Sequence, residues 1–411
     1  MKALFVCYGG GHVEMCLPVL RALRRAQPAC ETVLLALTTA FAVAREAGES
    51  PIGYRDLVQG VDGERALACG RELLAGKPRH PQIAPEESAA YLGVNFLEWL
   101  DTDGEAVARK RWRESGRHGF LPVRFFTEVL RRIAPDVVVT TNAPRSEQAA
   151  IEAATLLGIP SLSMVDLFAL PGDPFLQRPV HASRITVLAP ASRANLVAAG
   201  IEAQRIVVTG NPAFDELAGT EARELGRRWR QDKGWTDHQV VLWAGYKEPA
   251  DCTPEEWSGT GFAHAVQDRL VQWTLAREDR CLVVRYHPNE WHEFHPLPEH
   301  PRLHWSTPDQ QPLLEALMGA DTVVVQGTTV GAQAFAAQRH VICLRFSPTV
   351  RRSGMDYFEL GMAEGAQNLD DMVSLLDSGP EATPPNPDIG AQCAAASVAE
   401  VVLALTETGV S

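Results

Sequence analysis

No apolar run in this 411-residue sequence reaches the roughly 18 residues that a membrane-spanning helix needs. The eight cysteines include no CxxC pair and no metal-like spacing. Three of them, Cys7, Cys281 and Cys343, lie in apolar strand-like runs, where a free thiol packs as a small hydrophobe. Basic residues are not in excess, since the net charge is -13. These absences predict a cytoplasmic protein that is not a general nucleic-acid binder.

What the sequence does contain is a regular alternation of strand and helix patterns. Strand patterns occur in the first half at 2–8, 32–38, 136–140, 160–165, 185–189 and 205–209, and in the second half at 239–244, 281–286, 321–325 and 341–346. Most are continuous apolar runs separated by helical patterns, which predicts parallel sheets covered by helices on both faces. Two such sets predict an α/β protein with two Rossmann-like, doubly wound domains facing across a cleft.

We place the first domain at 1–213 and the second at 214–389. The segment 51–120 is treated as helical or loop insertions, and 379–389 is a proline-rich linker. Residues 390–411 are predicted to contain a C-terminal helix that packs back on the first domain. Ligands of open parallel sheets bind at the carboxyl ends of the strands, so motifs at strand ends are the candidates for function.

One region departs from the acidic average. Residues 105–132 carry eight basic and three acidic side chains, with aromatic residues interleaved. This pattern is typical of a solvated helix face beside a core face. It is also compatible with a surface for an anionic acceptor or for membrane headgroups, which would place the protein at the inner face of the membrane.

The first strand is followed by three glycines and a histidine. Gly10 and Gly11 let the backbone pass close to a ligand, and the helix that begins there favours a bound anion. His12 is placed to act as a general base toward a hydroxyl group, with Glu14 as the rival base. The alternative is a tight strand–helix turn in which the histidine is incidental.

Two motifs lie near the junction of the halves. Gly210 and Asn211 follow the last strand of the first half, in a turn that suits a hinge lining the predicted cleft. Tyr246 and Lys247 follow the first strand of the second half, where a lysine would neutralise phosphate charge on a leaving group. A plain surface lysine is the alternative.

Two more strand ends in the second half predict a phosphate-binding set. Pro288 fixes the exit of the chain after strand 281–286, so His287 and Asn289 are expected to donate hydrogen bonds to a phosphate or nucleotide.

The second of these ends follows strand 321–325. Gly327 permits close approach there, while Thr328 and Thr329 supply hydroxyl and N–H groups at a helix N-terminus. We expect a diphosphate cradle, and the alternative is an ordinary threonine N-cap.

In their order along the chain, these motifs resemble those of the GT-B glycosyltransferases and their relatives, the UDP-N-acetylglucosamine 2-epimerases. The resemblance covers most of the chain, through GGGH at 9–12, VTGNPAFD at 208–215, RYHPN at 285–289 and QGTTVGAQAFA at 326–336. The His-Pro and Thr-Thr pairs match the residues that hold the donor nucleotide in Kdo, polysialic acid and CDP-glycerol transferases.

This resemblance implies a GT-B enzyme of surface-glycan or glycoconjugate biosynthesis. It would transfer a sugar from a nucleotide-sugar donor to a hydroxyl-bearing sugar, lipid-linked or small-molecule acceptor, with inversion at the anomeric carbon. No metal or cofactor is expected, because Asp101-Thr102-Asp103 matches a glycosyltransferase DxD motif but falls in a predicted polar loop. The nucleotide-sugar counts as a substrate.

The epimerases are the nearest alternative. They resemble this chain at VTGNPAFD and HPN, but typically carry paired glutamates after the late strand, where this chain has Gln333-Ala334-Phe335. Their acidic loop after the middle strand is replaced here by Thr141-Asn142-Ala143-Pro144. We therefore expect glycosyl transfer, with epimerisation, nucleotide-sugar hydrolysis and non-catalytic nucleotide-sugar binding as alternatives.

Overall fold

The computed structural model describes residues 1–379 and 393–407. Within them the chain forms two compact units, one made of residues 1–213 with 393–407 and the other of residues 214–379. Of the predicted proline-rich linker, only Gly379 belongs to the described residues. Each unit contains a six-stranded parallel sheet, so the predicted two-domain α/β fold class is confirmed.

The sheet of the first unit has the strand order β2-β1-β3-β4-β5-β6. Its strands are β1 (Lys2–Tyr8), β2 (Glu31–Leu37), β3 (Val137–Thr141), β4 (Ser161–Met164), β5 (Arg184–Val187) and β6 (Ile206–Val208). Along β1, Phe5 and Cys7 enter the core on one face, and Leu4 and Val6 enter the core on the other. Both faces are buried, which explains why the strand is a continuous apolar run.

Nine helices of the first unit precede the second sheet in the described chain. They are α1 (Gly10–Ala26), α2 (Thr39–Glu46), α3 (Tyr54–Leu57), α4 (Gly60–Leu74), α5 (Pro85–Asp103), α6 (Glu105–Ser115), α7 (Val123–Ile133), α8 (Ser146–Leu157) and α9 (Pro190–Ala198). The segment 51–120, predicted to hold helical or loop insertions, is therefore mainly helical. We call residues 54–133, which contain α3 to α7, the helical insertion.

The sheet of the second unit has the order β12-β11-β10-β7-β8-β9. Its strands are β7 (Gln239–Gly245), β8 (Arg280–Tyr286), β9 (Leu303–Trp305), β10 (Thr322–Val325), β11 (His340–Leu344) and β12 (Glu364–Ala366). Its helices are α10 (Thr220–Lys233), α11 (Gly261–Leu275), α12 (Leu313–Gly319), α13 (Thr329–Ala336), α14 (Pro348–Ser353) and α15 (Leu369–Ser378).

The last helix, α16 (Ala394–Glu407), packs against the first unit. Val398, Ala399 and Val402 belong to the same core as α1, so the predicted return of the C-terminal helix is confirmed. No helix in the described ranges has the length and apolarity to cross a membrane.

The strand orders define a switch point in each sheet. The order reverses between β1 and β3 in the first unit and between β7 and β10 in the second. Successive crossovers leave the sheet in opposite directions at these points, which opens a crevice at the carboxyl ends of the two strands. The predicted motifs after β1, β7 and β10 all lie at such ends.

The basic segment 105–132 contains α6 and most of α7, within the insertion. Its aromatic residues Trp112, Phe120, Phe125 and Phe126 pack in or against the core of the first unit. Three of its bases form ion pairs with neighbouring acids: Arg109, Lys110 and Arg111. The structure thus shows a solvated helix face beside a core face. Membrane contact remains a prediction.

The DxD sequence also differs from expectation, because it lies in the last turn of α5 rather than in a loop. Its carboxylates form ion pairs, Asp101 with Arg65 and Asp103 with Arg111.

Two glycines let α4 and α5 touch through their backbones. A Cβ added to Gly93 would lie 1.7 Å from the carbonyl oxygen of Ala66, and one added to Gly70 would lie 1.8 Å from that of Ala89. We expect Gly93→Ala to lower the free energy of unfolding by about 1–3 kcal/mol or more, because the helices must separate. Gly11→Ala, which adds a Cβ into open space, is the control for denaturant unfolding. Equal stability of the two variants would contradict this prediction.

Candidate functional site

In the first unit, the turn after β1 places His12 at the carboxyl ends of the strands. Gly9 has φ +100°, a conformation that residues with a side chain rarely adopt, and the chain turns there from strand into helix. Gly10 and Gly11 form the first turn of α1 rather than a loop, and the N-cap residue Gly9 has no side chain that could cap this helix. His12 is partly buried, while Glu14 is exposed.

Hydrogen bonds link His12 to a buried carboxylate. His12 Nδ1 lies 2.5 Å from Thr141 Oγ1 at the end of β3, and this hydroxyl lies 2.5 Å from Glu147 Oε2 in the first turn of α8. Glu147 is fully buried and also accepts the backbone N–H groups of Thr141 and Tyr8, at 2.7 and 2.8 Å. Burial raises the pKa of Glu147, and the nearby His12 and these hydrogen bonds oppose the rise.

The direction of these bonds sets the tautomer of His12. An ionised Glu147 only accepts, so the hydroxyl of Thr141 gives its hydrogen to the carboxylate and accepts from the imidazole. His12 Nδ1 then carries a hydrogen, and Nε2 keeps a lone pair that can take up a proton. An imidazole oriented in this way is suited to general acid–base chemistry.

We expect Thr141→Val to lower the free energy of unfolding by about 1.5–3 kcal/mol, because it removes a hydrogen bond to a buried charged group. An acid with a raised pKa stabilises the fold below its ordinary pKa and loses that contribution as pH rises through the raised value. The hydroxyl opposes the rise in the pKa of Glu147, so its removal should cost more at pH 8 than at pH 5. Denaturant unfolding at both pH values measures this.

Thr140→Val is the matched control for Thr141→Val. The hydroxyl of Thr140 donates to a neutral carbonyl oxygen at 2.8 Å, so we expect a smaller loss that does not depend on pH. Equal losses for the two variants at both pH values would contradict the chain of hydrogen bonds.

A second carboxylate follows β4. Asp166 Oδ1 accepts Nδ2–H of Asn142 at 3.0 Å, and Asn142 Oδ1 accepts the N–H of Asp166 at 3.3 Å. The amide of Asn211 donates to the carbonyl oxygen of Asp166 at 2.8 Å and accepts the N–H of Ala213 at 2.9 Å. The predicted hinge residues Gly210 and Asn211 thus lie in the first unit, where Asn211 holds the loop of Asp166.

The second unit contains a cavity of about 640 Å³ at the ends of β7, β8 and β10, next to its switch point. We call it the β7–β10 cavity. Its volume is within the range of small-molecule sites. Five residues predicted from the sequence line it: Tyr246, His287, Gly327, Thr328 and Thr329.

Arg285, at the end of β8, brings a positive charge to the wall of this cavity. Its Nη1 donates to Ser306 Oγ and to the carbonyl oxygen of Gln311, both at 2.8 Å, and these acceptors are neutral. It forms no ion pair with any described carboxylate, and burial lowers its pKa. A buried cation without a counter-ion is unfavourable, so an anion bound here would compensate its charge.

His287 adds a hydrogen-bond donor to the same wall. Its Nδ1 accepts the N–H of Asn289 at 3.3 Å, so the hydrogen of the neutral imidazole lies on Nε2. The ring is exposed, and Nε2–H is therefore available to an anion. Asn289 is exposed and is absent from the cavity lining. It contributes to the site through its backbone N–H, which orients His287, rather than through its side-chain amide.

The threonine pair begins α13. Thr328 Oγ1 accepts the N–H of Val330 at 3.0 Å, so this hydroxyl is the N-cap of the helix. Thr329 is exposed and lines the cavity. The carbonyl oxygen of Thr328 accepts the hydroxyl of Tyr357 at 2.5 Å, which fixes the turn. A helix N-terminus so placed favours a bound anion.

Buried polar residues hold the ends of β7, β10 and β11 together. Gln326 accepts the N–H of Tyr246 at 3.0 Å and donates to Glu248 Oε1 at 2.6 Å. Glu248 also accepts the hydroxyl of Ser347 at 2.5 Å and the N–H of Thr349 at 2.8 Å. The cavity wall is therefore fixed before any ligand binds.

Lys247 is placed differently from what its predicted role requires. Its Nζ forms an ion pair with Glu293 Oε1 at 2.6 Å, and its backbone N–H donates to Glu290 at 3.0 Å. The residue is absent from the cavity lining. The positive charge at this cavity comes from Arg285 instead.

No protein-family model matches the chain, and no curated protein matches it in sequence. Solved structures resemble it in fold. The UDP-GlcNAc 2-epimerase of Methanocaldococcus jannaschii matches with TM-score 0.64 and 13% identity, over 98% of this chain and 100% of that one. The Neisseria meningitidis enzyme bound to UDP-GlcNAc matches with TM-score 0.62 and 13% identity, over 99% and 100%. That of Rickettsia bellii matches with TM-score 0.56 and 11% identity, over 99% and 97%.

This likeness concerns the fold, which the epimerases share with the GT-B group. The prediction of a glycosyltransferase is wrong, because solved structures that match over nearly the whole chain, such as those of M. jannaschii and N. meningitidis, are UDP-GlcNAc 2-epimerases. The predicted hydroxyl-bearing acceptor belonged to that reaction and is not retained.

Proposed function

We propose that the chain binds a UDP-linked N-acetylhexosamine and inverts the configuration at C2 of the sugar. The fold match with UDP-GlcNAc 2-epimerases supports the choice of substrate class. The observation that carries the proposal is the chain of hydrogen bonds from His12 through Thr141 to Glu147. A protein that only bound a nucleotide-sugar would need the β7–β10 cavity but no oriented base.

The diphosphate part of the substrate is assigned to the second unit. Arg285 supplies a cation that has no counter-ion among the described residues, and His287 supplies Nε2–H. The N-terminus of α13, with Thr328 and Thr329, adds partial positive charge. These groups would bind the diphosphate and stabilise the charge that develops when it leaves C1.

The proton transfers are assigned to the first unit. No carbonyl group neighbours C2 in the pyranose, so removal of the C2 proton is most favourable when the C2–H electrons form a C1=C2 double bond as the C1–O bond breaks. Addition of the diphosphate back to C1, with a proton delivered to the opposite face of C2, gives the epimer. We assign the proton transfers to His12 Nε2 and the carboxylate of Asp166.

Two acids that were not predicted from the sequence, Glu147 and Asp166, support this assignment. The loop after β3 has no acidic residue of its own, which is one reason why the sequence alone favours glycosyl transfer over epimerisation. Glu147 instead reaches that loop from α8, where it accepts from Thr141, six residues earlier in the chain. Asp166 contacts the same loop through Asn142.

The test is the interconversion of the two epimers by the full-length protein. UDP-N-acetylglucosamine and UDP-N-acetylmannosamine are incubated separately and followed by ¹H and ³¹P NMR. We expect both samples to reach the same mixture of the two nucleotide-sugars. Binding of UDP without change at C2 in either sample would contradict the proposal, as would release of UDP with an unchanged hexosamine.

A further inference from the structure

A second cavity, in the first unit, is not used by the proposed function. It has a volume of about 760 Å³ and is bounded by Tyr8 and Thr38, at the ends of β1 and β2, and by the helical insertion. This volume is within the range of small-molecule sites. We call it the insertion cavity.

The wall of the insertion cavity is strongly basic. Four cations of the insertion line it, against the single charge of Glu86: Arg71, Lys77, Arg79 and Arg117. None of these four forms an ion pair with a carboxylate in the described part of the chain. Three nearby bases on α4 and α6 that do not line the cavity are paired with acids, namely Arg65, Arg109 and Arg111, whereas the exposed Arg113 on α6 forms no ion pair with a described carboxylate. Four positive charges without a described carboxylate partner therefore line this one cavity, where they favour an anionic ligand.

The remaining lining is mostly apolar. Leu74, Ile83 and Leu92 supply aliphatic surface, and Trp112 supplies an aromatic wall. Tyr91 is 5% exposed, and its hydroxyl has no hydrogen-bond partner among the described residues. Burial raises its pKa, so it remains an O–H donor at neutral pH. An apolar cavity with a few polar groups of this kind is typical of a ligand site.

Contacts at Trp112 bear on the shape of the ligand. Phe120 stacks on its ring with the centroids 5.7 Å apart, and the ammonium of Lys77 lies 4.6 Å from its centroid. These two contacts occupy the ring faces on which a nucleobase would stack. An aliphatic body fits the remaining wall better than a planar ring.

We propose that the insertion cavity binds an amphipathic anion, with a phosphate or carboxylate head held by Arg71, Lys77, Arg79 and Arg117 and an aliphatic body against Leu74, Ile83 and Leu92. This ligand is distinct from the nucleotide-sugar of the β7–β10 cavity. The interaction combines charge-assisted hydrogen bonds with apolar burial, so neither half of the ligand alone should bind comparably.

The test is isothermal titration calorimetry of the full-length protein with decyl phosphate below its micelle concentration. Inorganic phosphate and decyl glucoside report on the head and the chain separately. We expect decyl phosphate to bind at least about tenfold more tightly than either, a difference of about 1.4 kcal/mol. The double variant Arg71→Ala/Arg117→Ala should lose this binding, whereas Arg65→Ala, on the same helix α4, should keep it.

Equal binding of decyl phosphate and decyl glucoside would overturn the proposal, as would equal binding by the double variant and wild type. Sedimentation with phosphatidylcholine vesicles containing phosphatidic acid provides a further comparison. Binding to these vesicles without binding of monomeric decyl phosphate would assign the cations to a membrane surface, and it would overturn the proposal that the insertion cavity binds an amphipathic anion. UDP titration of the same variants separates this proposal from the proposed function, because UDP affinity should not change.

Discussion

Replacement of His12 by alanine is expected to lower kcat for C2 epimerisation by about 10²- to 10⁴-fold, the usual contribution of a positioned acid–base group. The imidazole is held at Nδ1 by Thr141, which is itself held by the buried Glu147, so Nε2 is the atom left to take up a proton. UDP affinity should not change, since the groups assigned to the diphosphate lie in the second unit. Initial rates and UDP titration measure the two effects.

Two variants serve as comparisons for His12→Ala. Glu14→Gln tests the rival base, and we expect a small effect because Glu14 is exposed, whereas His12 is partly buried and held by Thr141. His292→Ala removes an exposed histidine outside the lining of the β7–β10 cavity and should leave kcat unchanged. A large loss with Glu14→Gln, and none with His12→Ala, would reverse the assignment of the base.

Replacement of Arg285 by methionine is expected to weaken UDP binding by about 10- to 100-fold, because a charge-assisted hydrogen bond contributes about 1.5–3 kcal/mol. The free energy of unfolding of the unliganded variant should change far less than the free energy of UDP binding. The variant removes the hydrogen bonds that Arg285 donates to Ser306 and Gln311, but it also removes a buried charge for which the described part of the chain supplies no counter-ion. Calorimetric titration with UDP and thermal unfolding without ligand measure the two quantities.

Lys247→Met is the matched comparison for Arg285→Met. The ammonium of Lys247 pairs with Glu293, and the residue is absent from the cavity lining. We therefore expect its loss to leave UDP affinity unchanged. If Lys247→Met weakened UDP binding as much as Arg285→Met, the phosphate contact predicted from the sequence would stand and the assignment to Arg285 would fail.

The sequence predicted the fold well where strands are buried on both faces. Runs such as 3–8 and 281–284 are continuously apolar because helices cover both faces of each sheet. The edge strands β9 and β12 were missed, since each has three residues and is stabilised by pairing with its neighbour rather than by its own pattern. The helical insertion was unclear because it packs mainly through helix–helix contacts.

The site was predicted less completely, because its chemistry depends on tertiary contacts. Glu147 lies in a helix and reaches β1 and β3 only through the fold. Arg285 was part of a quoted motif, yet its importance comes from the absence of a described counter-ion, which a sequence does not show. A signal was available in both cases: a charged residue inside an apolar strand or at the start of a buried helix needs an explanation.

The central claim, proton exchange at C2 of the sugar, is tested most directly by epimerisation in D₂O. The full-length protein is incubated with UDP-N-acetylglucosamine, and deuterium at C2 of the nucleotide-sugars is measured by ¹H NMR and mass spectrometry. We predict one deuterium at C2 of the epimer, and none with His12→Ala over the same time. Formation of the epimer with its original hydrogen at C2, or no exchange at all by the wild-type protein, would contradict the account.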